Sequence, residues 1–175
     1  MVIQRYNTLA PSKSRKKPEN WSEYPFLTSR GIELIQRHTI PRTNLGMGRF
    51  GSYKDYGEDI WRIGYGSKKI NRHWVGFQEY ATLQQVENQL VEDLKEFSRE
   101  IESYVFVRLN KNKKAALLSF AHNVGICGFK NSKLLELINK HASKAEIIGE
   151  WSPYINKIWI SGGESIVNRR RAELD

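Results

Sequence analysis

The sequence is short of the residues that build covalent or metal-held scaffolds. Its single cysteine, Cys127, excludes a disulfide framework within the chain and a cysteine-based metal site. A lone thiol of this kind is expected to be a small buried apolar residue rather than a nucleophile. Long apolar runs are missing too: none approaches the roughly 18 residues that a membrane span requires. The N-terminus carries early charges and no apolar centre, so it does not read as a secretory signal, and the expected address is the cytosol or a particle assembled there.

Against these absences stand 175 residues with 39% hydrophobic and 27% charged side chains, an ordinary composition for a globular protein with one sizeable core. The aromatic content of 11%, with five Trp, argues for a packed core or a binding cleft and against disorder. The formal net charge is +9, with a pI near 9.7. Such a surface favours anionic polymers without choosing among nucleic acid, acidic wall material and acidic protein.

Residues 1–22 read as a basic arm rich in Pro, Ser, Lys and Arg, extended until it meets a partner. Residues 23–175 read as the folded domain. A first helix is predicted in "LTSRGIELIQRH", capped by Thr28 or Ser29 and stopped near His38 by Pro41. "IPRTNLGMGRFG" reads as loop, and a hairpin follows from 50 to about 66, turning at "YGED". Thr82 and Gln85 form a capping box ahead of an amphipathic helix through Val86, Leu90, Val91, Leu94, Phe97 and Ile101. A shorter apolar helix ends at Gly125, Ser132 or Asn131 opens another, and Ser143 with Glu146 boxes a third. "GGESIVNRRRAELD" closes the chain as a last helix. The predicted class is α+β: a small sheet-bearing lobe followed by a mainly helical lobe.

"GIELIQRH", "SYKD…RIGYGS", "AALLSFAHNVG…FKNSKLLELIN" and "ESIVNRRRAEL" occur in this order. Together they resemble the phage-type lysozymes, glycoside hydrolase family 24, from about Gly31 to Asp175. The resemblance implies a lysozyme fold, a peptidoglycan substrate and no cofactor or metal. The family's chemistry needs a protonated carboxyl on the leaving oxygen and a second carboxylate across the sugar. In the family the acid is a Glu ending the first helix, the second carboxylate is a hairpin Asp, and a Thr before I-G-x-G positions water. On this sequence those positions fall at Thr39, Asp55 and Arg62. Tyr65, Asn123 and Arg169 are the residues the resemblance offers for substrate contact.

The departures are chemical. Residues 34–54 contain no Asp or Glu, so no shift of alignment within them restores the acid. Glu33 is six residues before Thr39, about 600° round a helix, and points elsewhere. Glu58 belongs to the hairpin turn. His38 is adjacent to Thr39, but helix neighbours diverge by about 100°. Thr39 and Asp55 are also further apart in sequence than the family's pair, which marks "RTNLGMGR" as an insertion at the mouth of the cleft. Arg62 is expected to pair with Asp55 and keep it ionised. One paired Arg in the last helix is expected to turn inward onto a carboxylate, and core packing is the commoner fate for Trp61, Trp74, Trp151 and Trp159.

Two functions are therefore expected. The first is a catalytically degenerate lysozyme-fold protein of a virion, a tail or baseplate part with a structural or wall-recognising role. It would contact peptidoglycan or another anionic polymer, and other phage structural proteins through the basic arm. The second is an active muramidase, working during host lysis or entry from the host cytoplasm.

Overall fold

The structure, a computed structural model, describes residues 22–39, 41–156, 169 and 171–173. Nearly all of the basic arm, Trp159, and most of the predicted closing helix lie outside the described residues.

Helix α1 (Ser29–His38) starts where Thr28 accepts the Gly31 N–H on its hydroxyl at 3.0 Å, and it ends at Thr39, whose N–H reaches the Ile35 carbonyl. Gly31, Ile32 and Ile35 form its buried face, while Glu33 is exposed. Among the described residues, six short strands follow in three antiparallel pairs. Strand β1 (Arg49–Gly51) pairs with β6 (Tyr80–Thr82), β2 (Tyr53–Asp55) with β3 (Ile60–Arg62), and β4 (Lys69–Ile70) with β5 (His73–Trp74). The β2–β3 hairpin turns through residues 56–59, as "YGED" predicts.

Among the described residues up to 156, four helices follow the strands. Helix α2 (Leu83–Tyr104) carries the predicted capping box, with the Thr82 N–H donating to Gln85 Oε1 at 2.8 Å. Val86, Leu90, Leu94 and Ile101 are its buried stripe. Helix α3 (Lys111–Lys130) buries Ala115 through Ala121, and Gly125 (φ 77°, ψ 160°) breaks it where the sequence predicts an end. The helical turn after that break was not foreseen. Ser132 caps α4 (Lys133–Asn139), and Ser143 pairs reciprocally with Glu146 at the start of α5 (Lys144–Asn156). Helix α3 packs against both α1 and α2, and the core runs from Phe26 through Ile63, Leu94 and Phe120 to Trp151. The class is α+β.

Three local expectations are corrected. Cys127 is exposed, because the break at Gly125 re-aims the last turn of α3. Trp74 is 68% exposed, unlike the buried Trp151, because it stands on a two-residue edge strand with Lys69 over its ring. The stretch read as loop before residue 50 is a hairpin arm. The Leu45 N–H bonds Arg49 O at 2.9 Å and the Gly51 N–H bonds Thr43 O at 3.0 Å, so the stretch before residue 49 pairs back onto β1.

Candidate functional site

The β2–β3 register places Tyr53 opposite Arg62 and Asp55 opposite Ile60. Asp55 and Arg62 are thus diagonal neighbours on one face, within reach of long side chains. Arg62 Nε donates to Asp55 Oδ2 at 2.6 Å, Nη1 to the Gly66 carbonyl at 2.8 Å, and Nη2 meets Glu58 Oε1 at 2.8 Å. All three guanidinium nitrogens are engaged. The other Asp55 oxygen accepts the Gly57 N–H at 3.0 Å. The Arg62 hydrogen bond holds the Asp55 carboxyl below its ordinary range, with the Gly57 N–H adding to it. Glu58 is lowered as well, first by the hydrogen bond from Lys68 at 2.7 Å. Asp55 and Glu58 are therefore ionised and cross-linked to cations. Neither holds a proton near neutral pH.

Thr39 sits at the C-terminus of α1, and its hydroxyl accepts from Arg169 Nη1 at 2.9 Å. Arg169 is 2% exposed. Its Nε reaches Ser119 Oγ at 2.9 Å and Glu173 Oε1 at 3.3 Å, and its Nη2 donates to the Ser119 carbonyl. Glu173 in turn accepts from Ser119 Oγ and from Trp151 Nε1. Arg169 has turned inward onto a carboxylate, as expected of one of the paired arginines. It acts as a buried anchor tying residues 169–173 to α3 and to the end of α1.

Between the two clusters lies a residue that sequence reasoning passed over. His122, on α3, packs its ring against Phe97 with centroids 5.8 Å apart. Its Nδ1 is buried and has no hydrogen-bond partner among the described residues. Burial, then the charges of Arg169 and Arg62, lowers its pKa to about 3. Both arginines thus act on one neutral imidazole, and the Thr39 and Asp55 clusters converge on α3. A single His inside the apolar run "AALLSFAHNVG" gives no sequence signal of that position.

The remaining candidates divide by burial. Tyr65 is 7% exposed and belongs to the core, whereas Asn123 is exposed beside His122 on α3. The His38 Nε2 is buried, and Glu58 is held ionised in its ion pairs. At the start of the insertion, Arg42 lies over the Tyr53 ring, 5.1 Å from its centroid. Burial raises the Tyr53 phenol above its ordinary pKa, opposed by Arg42 and Arg62. Among the described residues no group of His, Cys, Asp and Glu has the arrangement of a metal site.

Residues 47–173 match the family model of phage lysozyme. The chain belongs to the phage lysozyme family. It is 31% identical over 118 residues to the endolysin of Bacillus phage PZA, a match covering 66% of this chain and 43% of that protein. It thus spans less than half the length of that relative. With the endolysin of Acyrthosiphon pisum secondary endosymbiont phage 1 it shares 26% identity over 154 residues, 84% of this chain and 94% of the relative. The endolysin from Escherichia coli O157:H7 phage FAHEc1 has a similar structure. The TM-score is 0.64 at 25% identity, over 85% of this chain and 90% of the other. The phage lysozyme fold is thereby given, and the hairpin and helices of the described residues belong to it.

Proposed function

We propose that this chain binds peptidoglycan in a lysozyme-type cleft that does not run the family's acid-assisted hydrolysis. One observation carries the reading: Thr39, at the position of the family's acid, is held by Arg169, with no carboxyl in residues 34–54. A hydroxyl cannot protonate a leaving oxygen near neutral pH, and loss of a positioned general acid forfeits about 10²–10⁴ in rate. At the second position Arg62 replaces a small water-orienting hydroxyl and neutralises Asp55. That carboxylate is left less able to stabilise positive charge on a sugar ring. Asp55, Thr39 and Arg62 are assigned here to the cleft as binding and scaffolding groups, with Asn123 at its helical wall.

The second reading is an active muramidase acting in host lysis or entry. It draws on the curated relatives, both of which are endolysins, and it requires a carboxylic acid other than the family's. The relatives lend nothing to a tail or baseplate placement, so the proposal does not include one.

Sedimentation with purified insoluble peptidoglycan tests the binding proposal. The chain is expected to pellet with the wall while turbidity stays constant. Clearing of the suspension by the wild type, abolished by Asp55→Ala, would establish the muramidase instead. Absence from the pellet would remove wall binding altogether.

A further inference from the structure

The insertion that separates this cleft from the family pattern ends in an unusual tip. Gly46, Met47 and Gly48 all have positive φ, at 83°, 50° and 69°, so the chain reverses abruptly between Leu45 and Arg49. Met47 stands fully exposed, at 102%, with Leu45 beside it at 54%. Tyr80, half exposed, lies alongside: its ring and the Leu45 side chain both flank Gly51. The Arg49 guanidinium sits 5.4 Å from the Tyr80 ring centroid.

A second exposed group adjoins the first. The Leu83 N–H bonds Gly48 O at 2.8 Å, and Gln85 Nε2 reaches Asn71 at 3.4 Å. The tip and the β4–β5 turn therefore flank the same first turn of α2. That turn carries exposed Arg72, and next to it Trp74 is stacked under Lys69 at 5.0 Å. Arg49 and Arg72 have no ion pair among the described residues. Two aliphatic side chains at the apex, two amphipathic aromatics behind them and a ring of cations make one surface.

We infer that this surface docks the protein on a bilayer containing anionic phospholipid. Each layer of it matches a depth of such a membrane. Leu45 and Met47 enter the acyl boundary, Tyr80 and Trp74 suit the interface, and Arg49, Lys69 and Arg72 face the headgroup phosphates. Charge complementarity selects the anionic lipid. A sugar polymer has no use for two exposed aliphatic side chains on a projecting turn. Binding of this kind is peripheral and reversible, because so few apolar groups enter the membrane. It is independent of the peptidoglycan proposal, because it rests on the tip residues and not on Asp55, Thr39 or Arg62.

The test is co-sedimentation of the full chain with phosphatidylglycerol vesicles and, separately, phosphatidylcholine vesicles, at low and high NaCl. The expected result is binding to phosphatidylglycerol alone, weakened by salt. The double variant Leu45→Ser, Met47→Ser should bind about tenfold or more weakly, with its thermal melting unchanged because both side chains are exposed. Failure of the wild type to bind phosphatidylglycerol at low salt would overturn the inference. So would equal binding by wild type and double variant, which would reduce the effect to net charge. A dimer lost in the double variant without vesicle binding would assign the tip to a second copy. Retention on peptidoglycan that depends on these two residues would assign it to the wall. Either of those also overturns the inference.

Discussion

A guanidinium beside Asp55 changes what that carboxylate can do. Its native pKa is depressed by Arg62, so the pair stabilises the fold above the unfolded pKa of about 3.9. That contribution disappears as pH falls through the native value. In Arg62→Thr, a side-chain carboxyl NMR titration should find the Asp55 pKa moved up toward ordinary; an unmoved value would contradict the ion pair. His122 has the opposite chemistry and the same sign. Its native pKa of about 3 lies below the roughly 6.5 of an unfolded His, so the unfolded chain takes the proton first. Stability is then full above about pH 6.5 and declines as pH falls toward 3, by an amount on the order of a few kcal/mol. His122→Phe keeps the ring packing against Phe97 and removes the titration. Urea denaturation between pH 7.5 and 4.5 should show a shallower loss of stability in the variant, and identical slopes would refute the assignment. The Asp55–Arg62 pairing was legible from a hairpin with a four-residue turn, which puts residues seven apart on one face. His122 was not, because its burial depends on contacts between α2 and α3 that no local pattern encodes.

Elements with a strong internal period and their own caps were the readable ones. Helix α2 repeats its apolar residues every three or four positions and opens with a complete capping box, so its start and buried face both follow from the chain. The hairpin arm before β1 does not, because Asn and Gly signal a turn without revealing that the flanks pair with a strand. How the hairpin docks on α2 was also hidden. Gly64 (φ 57°) follows β3, and a Cβ built there would lie 2.6 Å from the Val86 Cβ. Both the positive φ and the contact forbid a larger residue. Gly64→Ala should destabilise the protein by about 2–4 kcal/mol, read from denaturant midpoints. Val86→Ala should not rescue it, since the clashing atom is retained. A Gly64→Ala protein as stable as wild type would show that the hairpin does not sit against α2 in this way.

At the scale of the molecule, the chain has the phage lysozyme fold, and the proposal is that its cleft has rearranged chemistry. The segments in register were enough to anticipate the fold, because three of them report the helix, the hairpin and the helix junction that the described residues contain. The pairing of Arg62 with Asp55 was legible as well. What the sequence withheld was the replacement network: Arg169 holding Thr39, Ser119 and Glu173 together, built from residues as much as 130 positions apart. That network holds the neutral Thr39 hydroxyl on a buried cation, which the proposal places where the family has its acid. The most direct measurement is release of reducing ends from purified peptidoglycan by wild type, Asp55→Ala and the double variant Thr39→Glu, Arg62→Thr. The account predicts wild type indistinguishable from Asp55→Ala and clear release only in the double variant. Release by the wild type that Asp55→Ala abolishes would contradict it.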